Sequence, residues 1–209
     1  VAEEIANSII HGVGLLLAIL GAVPLLQRAR HSKDQGYLLG AILYVTGLVL
    51  FYSAATLRHS LFFLEHTSKV MHVVDRSAIF LLIAGTYTPF TLVNLRDRPQ
   101  ARTILLATWV FCILGIAVST ATGRRYRRLK ILLYLGMGWI WAVSMADVMR
   151  CVAPAGILLL LAGGGIYTLG AATYWRGRRL PGYTSLHGLW YGFVLLASLL
   201  HYIAVYDYV

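Results

Sequence analysis

The chain has 209 residues, of which 59% are hydrophobic and 12% are charged, and its mean hydropathy is +0.72. A soluble domain of this length carries about twice that charged fraction, so the composition excludes a soluble globular protein. The net charge of +10 does not indicate a nucleic-acid binder, because Lys and Arg lie in the gaps between apolar runs. We therefore expect an integral membrane protein with membrane lipids, and no nucleic acid, as its partners.

Seven apolar runs follow one another, each long enough to cross the hydrocarbon core as a helix. Glu3 and Glu4 precede the first run where a secretory signal carries Lys or Arg, so this run is interpreted as a true span. The sequence predicts an all-α, seven-transmembrane helix bundle in the inner or plasma membrane of the cell. It forms one membrane domain over residues 1–209, with spans near 5–27, 36–57, 72–94, 103–122, 130–149, 152–174 and 186–207.

Basic residues predict the orientation of the bundle. Loops on the side of the N-terminus hold ten Lys and Arg, the other side holds seven, and Arg76 lies inside the third span. Because Lys and Arg are enriched in cytoplasmic loops, we expect the N-terminus in the cytoplasm and the C-terminus outside. Gly36 with Gly40, and Gly188 with Gly192, have the spacing of close helix contacts, which we interpret as packing within the chain.

Ionisable residues of several spans are expected at one depth near the cytoplasmic side. His59 ends the second span, His72 and Asp75 begin the third on one helix face, and His187 begins the seventh. His11 lies about two turns into the first span and can approach the same level. Histidines and a carboxylate from separate helices are how a bundle builds a metal site.

Imidazole and carboxylate ligands suit zinc, and three protein ligands leave a position for a water that can attack a carbonyl. The alternative is that each His caps a helix end or reaches the lipid head groups. For a single His we favour that alternative, whereas the group His59, Asp75 and His187 favours the metal because independent helices agree in depth.

Two further polar residues are expected near the outer side. His201 follows His187 by fourteen residues, about 21 Å along a helix, so it cannot share a metal with it. We expect His201 to hydrogen-bond to a neighbouring span. Asp147 is expected to face water or Arg150.

Three stretches resemble one family, the bacterial hemolysin III proteins, which are the prokaryotic branch of the progestin and adipoQ receptor family. They are EEIANS at 3–8 running to HGVG at 11–14, Asp75 through LLIAGTYTPF at 81–90, and HGLW at 187–190 running to His201. The resemblance extends from the first span to the last. It implies seven spans with the N-terminus inside.

The resemblance also implies a zinc ion near the cytoplasmic side and hydrolysis of a lipid amide by the zinc-bound water. His59, Asp75 and His187 match three positions of the family's ligand set, and Asp75 would be catalytic. The chain departs from the family pattern at Tyr191, where the family has a second His, at Ala55, where it has Ser, and at Arg76, where many bacterial members have His.

These departures leave alternatives at the site. A phenol ligates zinc poorly unless deprotonated, so His72 or a water would have to complete the ligand set, with Tyr191 and His11 beside it. Arg76 could instead neutralise Asp75 as an ion pair that replaces the metal.

Two hypotheses therefore stand for the function. The first is a zinc-dependent membrane hydrolase of a lipid amide. The second is a non-enzymatic membrane protein, which is receptor-like, serves membrane homeostasis or forms a pore. Substrate and oligomeric state are not determined by the sequence.

Overall fold

This computed structural model describes residues 2–123, 125–177 and 184–209, with side chains except at residues 65, 66, 68, 69, 127, 176, 177 and 184–187. No strand is present in these ranges. The elements in chain order are α1 (Ala2–His31), α2 (Gln35–Ser60), α3 (Glu65–Leu92), α4 (Pro99–Thr122), α5 (Arg127–Gly138), a 3-10 helix (Ile140–Ser144), α6 (Met145–Cys151), α7 (Pro154–Gly177) and α8 (Thr184–Tyr208).

The described ranges contain seven helical segments long and apolar enough to cross a membrane, which confirms the predicted all-α seven-span bundle and a multi-pass membrane protein. Six spans are single helices, and α5, the 3-10 helix and α6 together make the fifth. Because an α-helix satisfies its own backbone hydrogen bonds, helical spans are stable in lipid. The third helix begins at Glu65, ahead of the predicted residue 72, because its polar first turns are helical without being apolar.

An odd number of spans places the two chain termini at opposite ends of the bundle. At the N-terminal end, where α1 begins and α2 ends, the hydroxyls of Ser8 and Ser60 are 2.7 Å apart. At the C-terminal end, where α8 ends, Asn94 Nδ2 donates to the carbonyl of Tyr208 at 2.9 Å. Which end faces the cytoplasm stays a prediction.

Glycines bring α2 and α3 into close backbone contact. A Cβ at Gly40 would lie 2.5 Å from Pro89 Cα, and one at Gly85 would lie 2.9 Å from the carbonyl of Leu43. The predicted packing role is thus confirmed for the pair Gly36 and Gly40. For the second pair the close approach is not seen, because a Cβ at Gly188 would lie 3.8 Å from Asn7 Oδ1, an ordinary contact, and one at Gly192 would meet nothing within 4 Å.

The fifth span is broken in its middle, whereas the sequence predicted one continuous segment. The helix α5 ends after Gly138, and Trp139 has φ −106° and ψ 11°, outside the helical region. The Tyr87 hydroxyl donates to the carbonyl of Gly138, in the last turn of α5, where helix carbonyls lack a partner inside the helix. A polar side chain on α3 therefore supports the break.

The short connection between α1 and α2 is held by a side-chain cap. The carboxylate of Asp34 accepts hydrogen bonds from the backbone of Gly36 at 2.8 Å and Tyr37 at 3.1 Å. These groups have no partner inside the helix, so the cap stabilises the start of α2. Arg96, in the connection between α3 and α4, forms an ion pair with the same carboxylate.

Candidate functional site

His59 lies in the last turn of α2 and is buried at the N-terminal end of the bundle. Its Nδ1 hydrogen-bonds to the carboxylate of Glu4 on α1 at 2.6 Å, and its Nε2 lies 3.1 Å from the hydroxyl of Tyr191 on α8. A carboxylate only accepts, so in the neutral ring the proton is on Nδ1 and Nε2 accepts from Tyr191. Both ring nitrogens are therefore engaged by protein groups.

Asp75 is buried in α3 and forms its closest ion pair with a residue of α2. Arg58 Nη1 lies 2.8 Å from Asp75 Oδ2, and Arg76 Nε lies 3.8 Å from the same oxygen. Arg58 Nη1 also lies 3.5 Å from the hydroxyl of Tyr191. One carboxylate thus faces two guanidinium groups.

Arg76 is held from the side of α7. Its Nη2 donates to the hydroxyl of Tyr174 at 2.7 Å, and the guanidinium carbon lies 5.3 Å from the centre of the same ring. The hydroxyl of Tyr134 on α5 donates to the carbonyl of Arg76 at 2.9 Å. A buried arginine is stabilised by such hydrogen bonds and by the face of an aromatic ring.

His11 completes the cluster from α1. Its ring is parallel to that of His59 at 5.6 Å between centres, and it meets Tyr191 edge-on at 4.4 Å. Neither ring nitrogen of His11 has a hydrogen-bond partner among the described groups, and the same is true of Oδ1 of Asn7, one turn earlier. The first span therefore presents a polar face to the site.

The structure brings most of the predicted site residues together. His11, His59, Asp75, Arg76 and Tyr191 form one buried cluster at the N-terminal end. His72 is half-buried one turn before Asp75 in α3. The backbone of His187 lies in the first turn of α8, and its side chain is outside the described residues.

Three members of the cluster were missed by sequence reasoning: Arg58, Glu4 and Tyr174. Arg58 was counted with the basic residues of the loops, and nothing in its neighbourhood distinguishes it from them. The sequence did indicate that some cation must pair with Asp75, because a buried carboxylate needs a cationic partner. It did not indicate that this cation is Arg58. The aromatic Tyr174 resembles many others near span ends, so its bond to Arg76 required the fold.

One cavity adjoins the cluster, and a second one shares part of its lining. One, about 40 Å³, lies beside Asp75, Arg76 and Tyr191 and is also lined by apolar side chains such as Ile79 and Leu82. The other, about 100 Å³, is deeper and borders the break of the fifth span at Trp139. Both share Ile79, Leu82 and Tyr167 as lining residues.

The two polar residues predicted near the outer side have different outcomes. His201 Nε2 lies 3.2 Å from the carbonyl of Leu160 on α7, which confirms its hydrogen bond to a neighbouring span. Asp147 is half-buried and its Oδ1 lies 4.0 Å from Arg98 Nε, a neighbour that the sequence did not indicate, and the expectation that it faces water or Arg150 stays a prediction. The break in the fifth span leaves α6 as a short helix beside the connection between α3 and α4, which carries Arg98.

Comparison with known proteins identifies the family. A family model described as haemolysin-III related matches residues 1–202. This chain belongs to that family. It is 36% identical to Hemolysin-3 of Bacillus cereus, over all of this chain and 93% of that protein, and 32% identical to the Hemolysin-3 homolog of Bacillus subtilis (strain 168), over all of this chain and 95% of that protein. It is also 27% identical to the Homo sapiens monocyte to macrophage differentiation factor, over 99% of this chain and 84% of that protein.

The described residues of this haemolysin-III-related chain do not fit a zinc ion. The carboxylate of Asp75 accepts from Arg58, whose positive charge would repel a metal cation. Zinc at His59 Nε2 would displace the hydroxyl of Tyr191, and a neutral phenol is a poor replacement for the second histidine. Among the described side chains, no three His, Cys, Asp or Glu converge as metal ligands.

Proposed function

We propose that this chain is a non-enzymatic resident membrane protein, of the receptor-like or membrane-homeostasis kind. The observation that carries this proposal is the 2.8 Å ion pair between Arg58 and Asp75. It joins α2 to α3 where the family resemblance implies a metal. A guanidinium is always charged and carries no lone pair for a metal, so it neutralises the carboxylate without supplying Lewis-acid chemistry.

The surroundings of the ion pair support the same proposal. Tyr191, His59 and Glu4 continue the hydrogen-bonded chain from Arg58 to the surface of the N-terminal end. Every step joins residues of different helices, so the chain ties α1, α2, α3 and α8 together. The proposed role of the cluster is to hold this end of the bundle in one arrangement.

A second candidate is the zinc-dependent hydrolysis of a lipid amide, with His59, Asp75 and His187 as zinc ligands. The observation that favours it is the buried ring of His11, whose two nitrogens have no hydrogen-bond partner among the described groups. A buried imidazole without a hydrogen-bond partner, next to His59, has a ring nitrogen that could bind a metal. Two of the Bacillus relatives carry the name hemolysin, but no contact among the described residues favours cytolysis over either candidate.

Elemental analysis of the detergent-purified protein separates the two candidates. The wild type is expected to contain well under one zinc per chain after zinc supplementation, and to hydrolyse no ceramide-like amide. Near one zinc per chain, lost in the double variant His59→Ala and His187→Ala, would overturn the non-enzymatic proposal and support the hydrolase.

A gain-of-site variant makes this test sharper. Arg58→Met with Tyr191→His removes the competing guanidinium and places two imidazoles four residues apart on one face of α8. We expect this double variant to bind zinc more tightly than the wild type. The control, Arg28→Met with Tyr206→His, makes the same changes at the C-terminal end, where Arg28 lies over the ring of Tyr206, and should bind no zinc.

A further inference from the structure

We infer that Arg76 is the centre of a binding site for an oxyanion head group, a phosphate or a carboxylate, in the cavity between α3, α7 and α8. The cavity of about 40 Å³ beside Arg76 holds about three water molecules, which is enough for the oxygens of one such group. This inference goes beyond the proposed function and does not depend on whether the protein is an enzyme.

The charge balance of the cluster is the first observation behind the inference. Arg58 and Arg76 share the single carboxylate of Asp75, and Arg58 is closer by 1.0 Å, at 2.8 Å against 3.8 Å. Arg76 therefore carries a positive charge that this ion pair leaves largely uncompensated. An uncompensated charge in a buried place is costly, and an anion removes that cost.

Among the described side chains, no acid other than Asp75 forms an ion pair with Arg76. The chain has eight acidic residues, of which Asp34, Asp97, Asp147 and Asp207 lie at the C-terminal end. Glu4 is engaged by His59, and Glu65 precedes Asp75 by ten residues, about 15 Å along α3. Glu3, the remaining acid, lies in the first turn of α1, where its side chain is partly exposed.

The donors around the cavity suit oxygen atoms. A guanidinium has five N–H donors, and the described hydrogen bonds of the Arg76 side chain engage Nη2 alone, with Tyr174. Its planar donors match a carboxylate or phosphate in two parallel hydrogen bonds. The cavity is otherwise lined by apolar and aromatic groups, among them Phe51, Trp190 and Val194.

The neighbouring cavity indicates the source of the anion. It is the larger one, about 100 Å³, is mostly apolar, and shares Ile79, Leu82 and Tyr167 with the cavity beside Arg76. A head group at Arg76 thus has space for an apolar chain toward the break of the fifth span. We expect a single-chain anionic lipid to bind more tightly than a free anion.

The test measures binding to the purified full chain in a neutral detergent, with EDTA present. The probes are a lysophosphatidate, a monoacylglycerol with the same acyl chain, and inorganic phosphate. We expect the lysophosphatidate to bind at least about tenfold more tightly than the monoacylglycerol and to raise the thermal unfolding temperature. If inorganic phosphate binds and neither lipid does, the site still binds anions, but its ligand is a free anion and not a lipid.

Variants separate a binding role of Arg76 from a structural one. Arg76→Gln should remove the preference for the anionic lipid, and Arg76→Lys should keep part of it. Asp75→Asn, which removes the competing carboxylate, should strengthen anion binding, an effect that simple damage to the fold would not produce. The control, Arg28→Gln at the C-terminal end, should bind like the wild type.

Three results would overturn the inference: equal binding of the charged and neutral lipids, unchanged binding in Arg76→Gln, or loss of wild-type binding when EDTA is added. Loss of binding in EDTA would mean that a bound metal, and not Arg76, holds the anion, and it would also contradict the non-enzymatic proposal. The first two would leave that proposal intact. If Arg76→Gln does not fold, Arg76→Lys and Asp75→Asn still test the inference. Arg76→Lys should weaken binding of the anionic lipid, and Asp75→Asn should strengthen it.

Discussion

The two ends of the bundle hold charge pairs of the same chemistry in opposite surroundings. At the N-terminal end, the side chains of Arg58 and Asp75 are 17% and 5% exposed and lie 2.8 Å apart. At the C-terminal end, those of Arg28 and Asp207 are 45% and 48% exposed and lie 3.9 Å apart. The exposed pair contributes about 0–1 kcal/mol, whereas breaking a buried pair costs about 3–5 kcal/mol.

This difference shows that the burial of an ion pair, and not the number of pairs, decides how much the charges contribute to the stability of the fold. The C-terminal end has three pairs between connections and helix ends, formed by Arg28, Arg96 and Arg98 with aspartates. The pair of Arg28 and Asp207, the most exposed of the three, can be lost with little effect because water replaces the partner. At the N-terminal end, the carboxylate of Asp75 faces two buried guanidinium groups, so a single substitution at Asp75 changes the charge balance of the whole cluster.

The largest expected effect comes from Asp75→Ala, which leaves Arg58 and Arg76 facing each other without a counter-ion. We expect the free energy of unfolding to fall by about 3–5 kcal/mol. The measurement is unfolding in mixed detergent micelles with increasing SDS. Asp207→Ala is the matched control and should change it by less than about 1 kcal/mol. Similar losses in the two variants would contradict the comparison.

A pair of double-mutant cycles gives a smaller but cleaner effect. The buried cycle combines Arg58→Met with Asp75→Asn, and the exposed cycle combines Arg96→Met with Asp34→Asn. We expect a coupling energy of about 1.5–3 kcal/mol in the buried cycle and below about 1 kcal/mol in the exposed one. Coupling energies measured under the same micelle conditions test this order, and a larger value for the exposed cycle would reverse it.

The smallest effects are expected at Asp34. Asp34→Ala removes the cap of α2 together with the ion pair to Arg96, and should cost about 1 kcal/mol. Asp34→Asn keeps a capping oxygen and should cost only a few tenths of a kcal/mol. Thermal unfolding of the two variants beside the wild type measures the difference. Equal losses would mean that the charge, and not the cap, matters at this position.

The pH dependence at Asp34 has a defined sign. The hydrogen bond from Arg96 lowers the pKa of the Asp34 carboxyl, and the backbone groups of Tyr37 and Gly36 act in the same direction. A lowered folded-state pKa means that the stabilisation is complete above the unfolded value of about 3.9 and is lost as the pH falls through the folded value. The stability gap between wild type and Asp34→Asn should therefore stay constant from about pH 8 to 5 and shrink below about pH 4. A gap that grows on acidification would contradict this assignment.

The seven spans could be predicted because hydropathy is a local sum over about twenty residues, and lipid requires helices for such runs. The break in the fifth span could not be predicted from the sequence. Gly136 and Gly138 are compatible with a continuous transmembrane helix, and the Tyr87 hydroxyl that donates to the carbonyl at the break lies on another helix. The signal for it is therefore absent from the segment itself.

The candidate site also has one feature that the sequence predicts and one that it does not. The approximate depth of His59, Asp75 and Arg76 follows from their positions along the spans. The partner of Asp75 does not, because the sequence offered the adjacent Arg76, whereas the structure places Arg58 nearer. Adjacent residues on a helix point in different directions, so neighbours in sequence are poor candidates for a short ion pair.

By itself, the sequence of this protein determined the helical class, the number of spans and the presence of charge at membrane depth, since these depend on the composition of each segment. Only the tertiary structure decided which cation meets Asp75 and which hydroxyl meets Arg76. Those contacts depend on how α2 and α7 are rotated against α3. For α2 that rotation is set by the close backbone contacts at Gly40 and Gly85, which no local pattern of hydropathy specifies.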